Sequence, residues 1–175
     1  TTFKAKGLLA DTHPLGGGVL GRSGTPIASW VMNESDCLLV LGASFSNHTG
    51  ITPKKPTIQV DFDPMMLGKF HAVDVPVWGE IAVTCATLRE RLAGNASTVD
   101  QRPDLLERWA IWREEKARRT EDDRGRGVNS AAVFAAMTRH VPEDAIIAVD
   151  VGNNTYAFGR YFECKRQAVL MSGYL

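Results

Sequence analysis

The chain has 175 residues, 44% of them apolar and 23% charged, and its 20 Lys plus Arg balance 20 Asp plus Glu. A neutral chain that buries about 70% of its unfolded surface needs neither disulfides nor a structural metal, and it lacks the bulk charge that draws nucleic acid or an anionic membrane. Cys37, Cys85 and Cys164 are far apart with no CxxC pair, and no apolar run approaches the roughly 20 residues of a membrane span, so the sequence reads as neither secreted nor inserted and suits a reducing cytoplasm.

Thr25-Pro26 opens a helix to about Glu34, with the hydroxyl as N-cap and proline at the first helical position. Residues 37–42 follow as a continuous apolar run closed by glycine, which predicts a parallel strand buried on both faces. Residues 57–62 predict a second strand, with Asp63-Pro64 starting a short helical turn to Leu67. A third extended segment, residues 73–77, contains Pro76 and is therefore placed at an edge. Helical spacing of Ile81, Cys85, Leu88 and Leu92 predicts a helix from Glu80, stopped by Gly94. Asn95-Ala96-Ser97-Thr98 reads as a linker, and Pro103 leads into a charged helix that packs Leu105, Trp109 and Trp112 on one side. Asn129-Ser130 caps a helix over residues 131–140, which Val141-Pro142 ends. Strands over residues 145–150 and 169–172 then begin a second alternating unit. The pattern predicts an α/β protein: a doubly wound parallel-sheet central domain over residues 1–94, a linker with the bridging helix over 95–127, and the beginning of a second α/β domain over 128–175.

Three clusters could carry chemistry. Residues 16–24 are glycine-rich and precede a helix, so backbone N–H groups and Arg22 could meet an anion; a simple glycine turn is the alternative. Residues 42–50 follow the carboxyl end of a strand, where open α/β sheets bind ligands, and Asp61 and Asp63 end the next strand, where an acid can accept from ribose hydroxyls. Asp63 reads equally as a helix cap, and Asp74 as an edge-strand acid. The third cluster, Asp150-Val151-Gly152-Asn153-Asn154, joins a strand to a helix start; its donors suit a phosphate, or else an asparagine caps the helix. His13, His48, His71 and His140 form no metal-binding pattern, and no nucleophile elbow or cysteine–histidine pair is visible.

In order and spacing, a series of segments resembles the thiamine-diphosphate-dependent family of acetolactate synthases, pyruvate oxidases and 2-oxo acid decarboxylases. These are Thr1-Thr2-Phe3-Lys4-Ala5-Lys6-Gly7, His13-Pro14-Leu15, Gly21-Arg22-Ser23-Gly24-Thr25, Ser35-Asp36-Cys37-Leu38-Leu39-Val40-Leu41-Gly42, Val60-Asp61-Phe62-Asp63-Pro64 and Leu67-Gly68-Lys69. Beyond the bridging helix the series continues with Val149-Asp150-Val151-Gly152-Asn153-Asn154 and Ser172-Gly173-Tyr174-Leu175. The resemblance implies the family's central domain and the first third of its diphosphate-binding domain. It implies that Gly152, Asn153 and Asn154 meet the diphosphate of thiamine diphosphate, and that Ser172, Gly173, Tyr174 and Leu175 begin the segment at its aminopyrimidine. Gly21, Arg22, Gly42, Ala43, Ser44, Asp61, Phe62, Asp63 and Asp74 match positions that hold FAD in some members, while others bind ADP or nothing there.

The family's Gly-Asp-Gly segment, which holds the bridging Mg2+, would lie beyond Leu175, and the activating glutamate belongs to the pyrimidine-binding domain. Thr1 in place of Met and the apolar end at Leu175 read as an internal piece of a longer protein. The resemblance thus implies a fragment, inert alone, of a cytoplasmic lyase or transferase acting on a 2-oxo acid, dimeric or tetrameric as a parent and without nucleic-acid or membrane partners. The rival reading is a regulatory module that binds FAD, ADP or CoA without catalysis. A deacetylase-like NAD site would need a catalytic histidine and zinc cysteines, and neither pattern is visible.

Overall fold

The computed structural model describes the chain except for residues 45, 47, 48, 53, 95–98, 124 and 173–175. Its contacts divide it into two compact units, Thr1–Val31 with Gln101–Leu175, and Met32–Asp100. This division differs from the sequence division at residues 94 and 127: the first 31 residues group with the carboxyl-terminal part. Helix α1 (Pro26–Glu34) runs through the boundary.

The Met32–Asp100 unit holds three strands, β1 (Leu38–Leu41), β2 (Thr57–Asp61) and β3 (Val75–Trp78), all parallel and in the order β1-β2-β3. Pro76 sits in β3 at the edge of this sheet, as a residue without an N–H must. Asp63 accepts from Met65 N at 2.9 Å and caps the short turn Pro64–Met66. Helix α2 (Ile81–Leu92) starts where predicted, capped by Glu80, which accepts from Val83 N at 2.7 Å. The expectation that β1 is buried on both faces is not met. Val40 is buried, but Leu39 is 49% exposed and Leu41 is also exposed. One face has cover and the other does not, because α2 contributes only half-buried residues such as Ile81, Cys85 and Leu88.

The other unit contains α3 (Arg102–Thr120), α4 (Ser130–His140), β4 (Ile146–Val149), α5 (Asn153–Tyr161) and β5 (Ala168–Met171), with β4 and β5 parallel. Asn129 caps α4 by accepting from Ala132 N, as predicted. One aromatic cluster joins Phe3, Val19, Phe134, Phe158, Phe162 and Cys164, with Phe158 and Phe162 stacked at 4.9 Å between centroids. A second joins Ile27, Leu105, Trp109 and Trp112. The predicted buried side of α3 is therefore correct.

Two polar features tie the amino-terminal residues into this core. Lys6 and Asp11 form a buried ion pair at 3.0 Å, and the same carboxylate accepts from Cys164 N at 2.7 Å. Trp109 donates its indole N–H to Gly16 O at 2.7 Å. Gly159 is required by close approach: a Cβ there would run into Ser23 O and the Phe3 ring.

Candidate functional site

In parallel α/β sheets ligands collect at the carboxyl ends of the strands. The β4–β5 pair brings Asp150, Gly152 and Ser172 to that edge. Ser172 Oγ donates to Asp150 Oδ1 at 2.6 Å, and Val151 N donates to the same oxygen at 2.7 Å. Those two hydrogen bonds, the serine first, hold the Asp150 carboxyl below its ordinary range. Gly152 takes the N-cap position of α5 with φ 151° and no side-chain cap, and open space lies where its Cβ would be. Neither asparagine caps the helix, contrary to the alternative reading of this cluster. Asn153 and Asn154 occupy its exposed first turn, and the hydroxyl of Thr155 turns back to Asp150 O. An uncapped first turn presents backbone donors to an anion. Gly173, Tyr174 and Leu175 lie outside the described residues.

The glycine-rich loop differs from its sequence reading. Gly24 N donates to Gly21 O at 2.9 Å and Thr25 N to Val19 O at 2.8 Å, so these amides close a turn rather than cradle a phosphate. Thr25 Oγ1 donates to Gly17 O and accepts from Ala28 N, confirming its N-cap role. Arg160 on α5 grips the loop, donating to Arg22 O at 2.8 Å and Gly24 O at 3.3 Å. Arg22 and Asn153, assigned to different cofactors from sequence, line one cavity of about 830 Å³ within this unit.

In the other unit Gly42, Ala43, Asp61, Phe62 and Asp63 all stand at the carboxyl edge of the three-stranded sheet. Gly42 N donates to Val60 O at 2.9 Å, and Gln59 Nε2 donates to Ala43 O at 3.1 Å. Asp61 is buried and accepts from Asp63 N at 3.0 Å. Ser44 is exposed beside them, while Phe45, Asn47 and His48 lie outside the described residues. Asp74 is the correction. Its carboxylate accepts from Thr57 N at 2.8 Å, at the amino end of β2 and so at the opposite end of the strand from Asp61. Parallel register forces this, since Ile58 faces Val75 and Asp61 faces Trp78.

Trp78 and Glu80 were missed by sequence reading and do reach the carboxyl edge. Trp78 is 73% exposed beside Phe62, itself 74% exposed, and donates its indole N–H to Phe62 O at 2.9 Å. Counting strand register from Pro76 would have placed both. Glu80 is exposed and held below the ordinary carboxyl range by the α2 amides, Val83 first. Among the described residues no group of three or more His, Cys, Asp or Glu is placed to hold a metal ion, and no helix is long and apolar enough to cross a membrane.

A family model described as the thiamine pyrophosphate enzyme central domain matches residues 1–89. The putative thiamine pyrophosphate-containing protein YdaP of Bacillus subtilis is 30% identical over 180 residues, covering 99% of this chain and 30% of that protein. A probable acetolactate synthase large subunit of Methanococcus aeolicus is 39% identical over 85 residues, covering 46% of this chain and 14% of its own length. The pyruvate oxidase of Lactiplantibacillus plantarum is 28% identical over 158 residues, covering 87% of this chain and 26% of that enzyme. The chain belongs to the thiamine pyrophosphate enzyme family. It spans less than a third of each of these relatives, and its parallel sheets with flanking helices agree with the α/β class of that central domain.

Proposed function

We propose that this chain is part of a thiamine-diphosphate-dependent lyase or transferase that acts on 2-oxo acids in the manner of an acetolactate synthase, and that the 175-residue piece is inert alone. One observation carries the reading: similarity to YdaP covers 99% of this chain and so continues past residue 89, where the central-domain match ends, into β4 and α5, and similarity to pyruvate oxidase, over 87% of the chain, also extends past that residue. Thiamine diphosphate, when bound, would supply a carbon nucleophile and an electron sink for the decarboxylation of a 2-oxo acid. Gly152, Asn153 and Asn154 would hold its diphosphate at the open first turn of α5, with Ser172 fixing Asp150 beside them. Gly173, Tyr174 and Leu175 continue toward the aminopyrimidine by resemblance alone. The Mg2+ takes its protein ligands from outside these residues.

In the central domain an FAD or ADP would meet Gly21 and Arg22, and Gly42, Ala43, Ser44, Asp61, Phe62 and Asp63. Asp74 is left out because its carboxylate is committed to Thr57 N. The parent is a homodimer or homotetramer in a reducing cytoplasm, which suits three free cysteines. It needs no nucleic-acid or membrane partner.

The test is calorimetry of this chain with thiamine diphosphate and magnesium, paired with an assay for CO2 release from pyruvate. No submicromolar binding and no turnover are expected, and either result reversed overturns the inertness. The second reading, a module that binds FAD, ADP or CoA without catalysis, is favoured by the exposed Phe62 and Trp78 rings at a ligand-binding edge. Flavin absorbance in the purified protein, or ADP binding without flavin, separates the two occupants.

A further inference from the structure

We infer that Gln59 is the positioning residue of the carboxyl edge in the Met32–Asp100 unit: its side chain ties the residues after β1 to the turn after β2, so that the two flanks of the edge shift together. Its bearing on a ligand rests on the reading of this edge as a nucleotide site, to which the family resemblance contributes no role for Gln59.

Strand β2 is the middle strand of its sheet, and alternation puts Thr57, Gln59 and Asp61 on one face, with Ile58 and Val60 on the other. All three polar side chains are buried. Thr57 and Asp61 serve residues close by: Thr57 Oγ1 donates to Lys55 O, and Asp61 accepts from Asp63 N. Gln59 reaches two separate connections. Its Nε2 donates to Ala43 O and to Met66 O, each at 3.1 Å, and its Oε1 accepts from Gly68 N at 2.8 Å. Two carbonyls against one end and an N–H against the other fix which way round the carboxamide lies, and both of its hydrogens are used. Gln59 is 3% exposed, so movement of either flank alone would leave part of a buried amide without a partner. That penalty couples the flanks. Ala43 stands on one of them, and Asp63, which caps the Pro64–Met66 turn, opens the other.

The test is amide hydrogen exchange, followed by nuclear magnetic resonance, on the 175-residue chain and on Asp63→Ala, Gln59→Leu and the double variant. Asp63→Ala removes the cap of the turn and leaves Gln59 in place. It should speed exchange about tenfold at Gly68 and severalfold at Gly42, whose N–H bonds Val60 O across the sheet. In the Gln59→Leu background the same substitution should no longer affect Gly42. Equal acceleration at Gly42 in both backgrounds, or none in either, overturns the inference.

A second variant does not depend on Gln59→Leu folding. Gln59→Glu keeps an acceptor for Gly68 N but turns a carboxyl toward two carbonyl oxygens, and burial and those oxygens both favour its neutral form. Its stability is therefore greatest at low pH and is lost as pH rises. The urea midpoint of Gln59→Glu should fall relative to the parent between pH 5 and pH 8; a constant difference overturns the contact with the carbonyls. Calorimetry with ADP keeps the nucleotide reading apart. Binding by the parent that weakens about tenfold in Gln59→Leu carries the positioning role through to the ligand, and equal affinities overturn it. A parent that does not bind ADP refutes the nucleotide reading of this edge, and the exchange data then decide the coupling by themselves.

Discussion

The two units have equally regular parallel ladders and very different interiors. Among the described residues of the Met32–Asp100 unit the buried apolar residues are Met32, Val40 and Val60, while Leu39, Leu41, Val83 and Leu92 stay exposed. The other unit buries ten apolar side chains in two clusters, seven of them Phe, Trp or Ile. Strand pairing needs only extended backbone and a partner, whereas burial needs a second layer whose apolar face matches. Backbone pairing alone is therefore a poor guide to where stability resides.

The sharpest contrast is chemical. Burial pushes the Cys164 thiol up to about 11 and leaves it 0% exposed, whereas Cys37 is exposed. A thiol reagent at pH 8 should label Cys37 at once and Cys164 only after denaturation; early modification of Cys164, followed by mass spectrometry, would erase the contrast. Next in size, Phe158→Ala or Asp11→Ala should each cost about 3–5 kcal/mol in urea unfolding, the first by a cavity and the second by stranding Lys6 in the core. Val60→Ala, the same kind of deletion in the thinner unit, should cost only about 2 kcal/mol. A value as large as that for Phe158 would mean the three-stranded sheet is better packed than its burial indicates.

The pH dependence is smaller. Burial of Glu163 opposes its ionisation, but hydrogen bonds from Arg113 and Lys116 outweigh that, and its pKa falls below the ordinary 4.5. Its contribution is thus complete above 4.5 and disappears as pH falls through the depressed folded-state value. The melting-temperature advantage of the parent over Glu163→Gln should shrink between pH 6 and pH 3. Least of all, Trp78→Ala should change stability by no more than about 0.5 kcal/mol, since its ring packs against solvent.

Local signals located nearly every element. Thr25-Pro26, Asp63-Pro64 and Asn129-Ser130 cap helices where read, because a cap is a contact within a few residues. What depended on distant partners was not legible. Nothing near Lys6 reveals that Asp11 will share its carboxylate with Cys164 N, and nothing in the apolar run of β1 tells that one of its faces lacks a covering layer. Asp74 was misplaced because parallel register, absent from local pattern, decides which end of a strand an acid reaches. Residues 16–24 were open for a related reason: glycine permits a cradle and a self-bonded turn alike, and Arg160, more than a hundred residues on, bonds the carbonyls of Arg22 and Gly24.

The carboxylate of Asp11 and the carbonyl of Gly16 make the opening stretch of the polypeptide an internal component of the part that starts at Gln101. A recombinant piece beginning at Gln101 would leave the Trp109 indole without its acceptor and Phe158 without Phe3. Such a piece should precipitate or remain loosely collapsed, and adding residues 1–31 as a separate peptide should restore its near-ultraviolet signal.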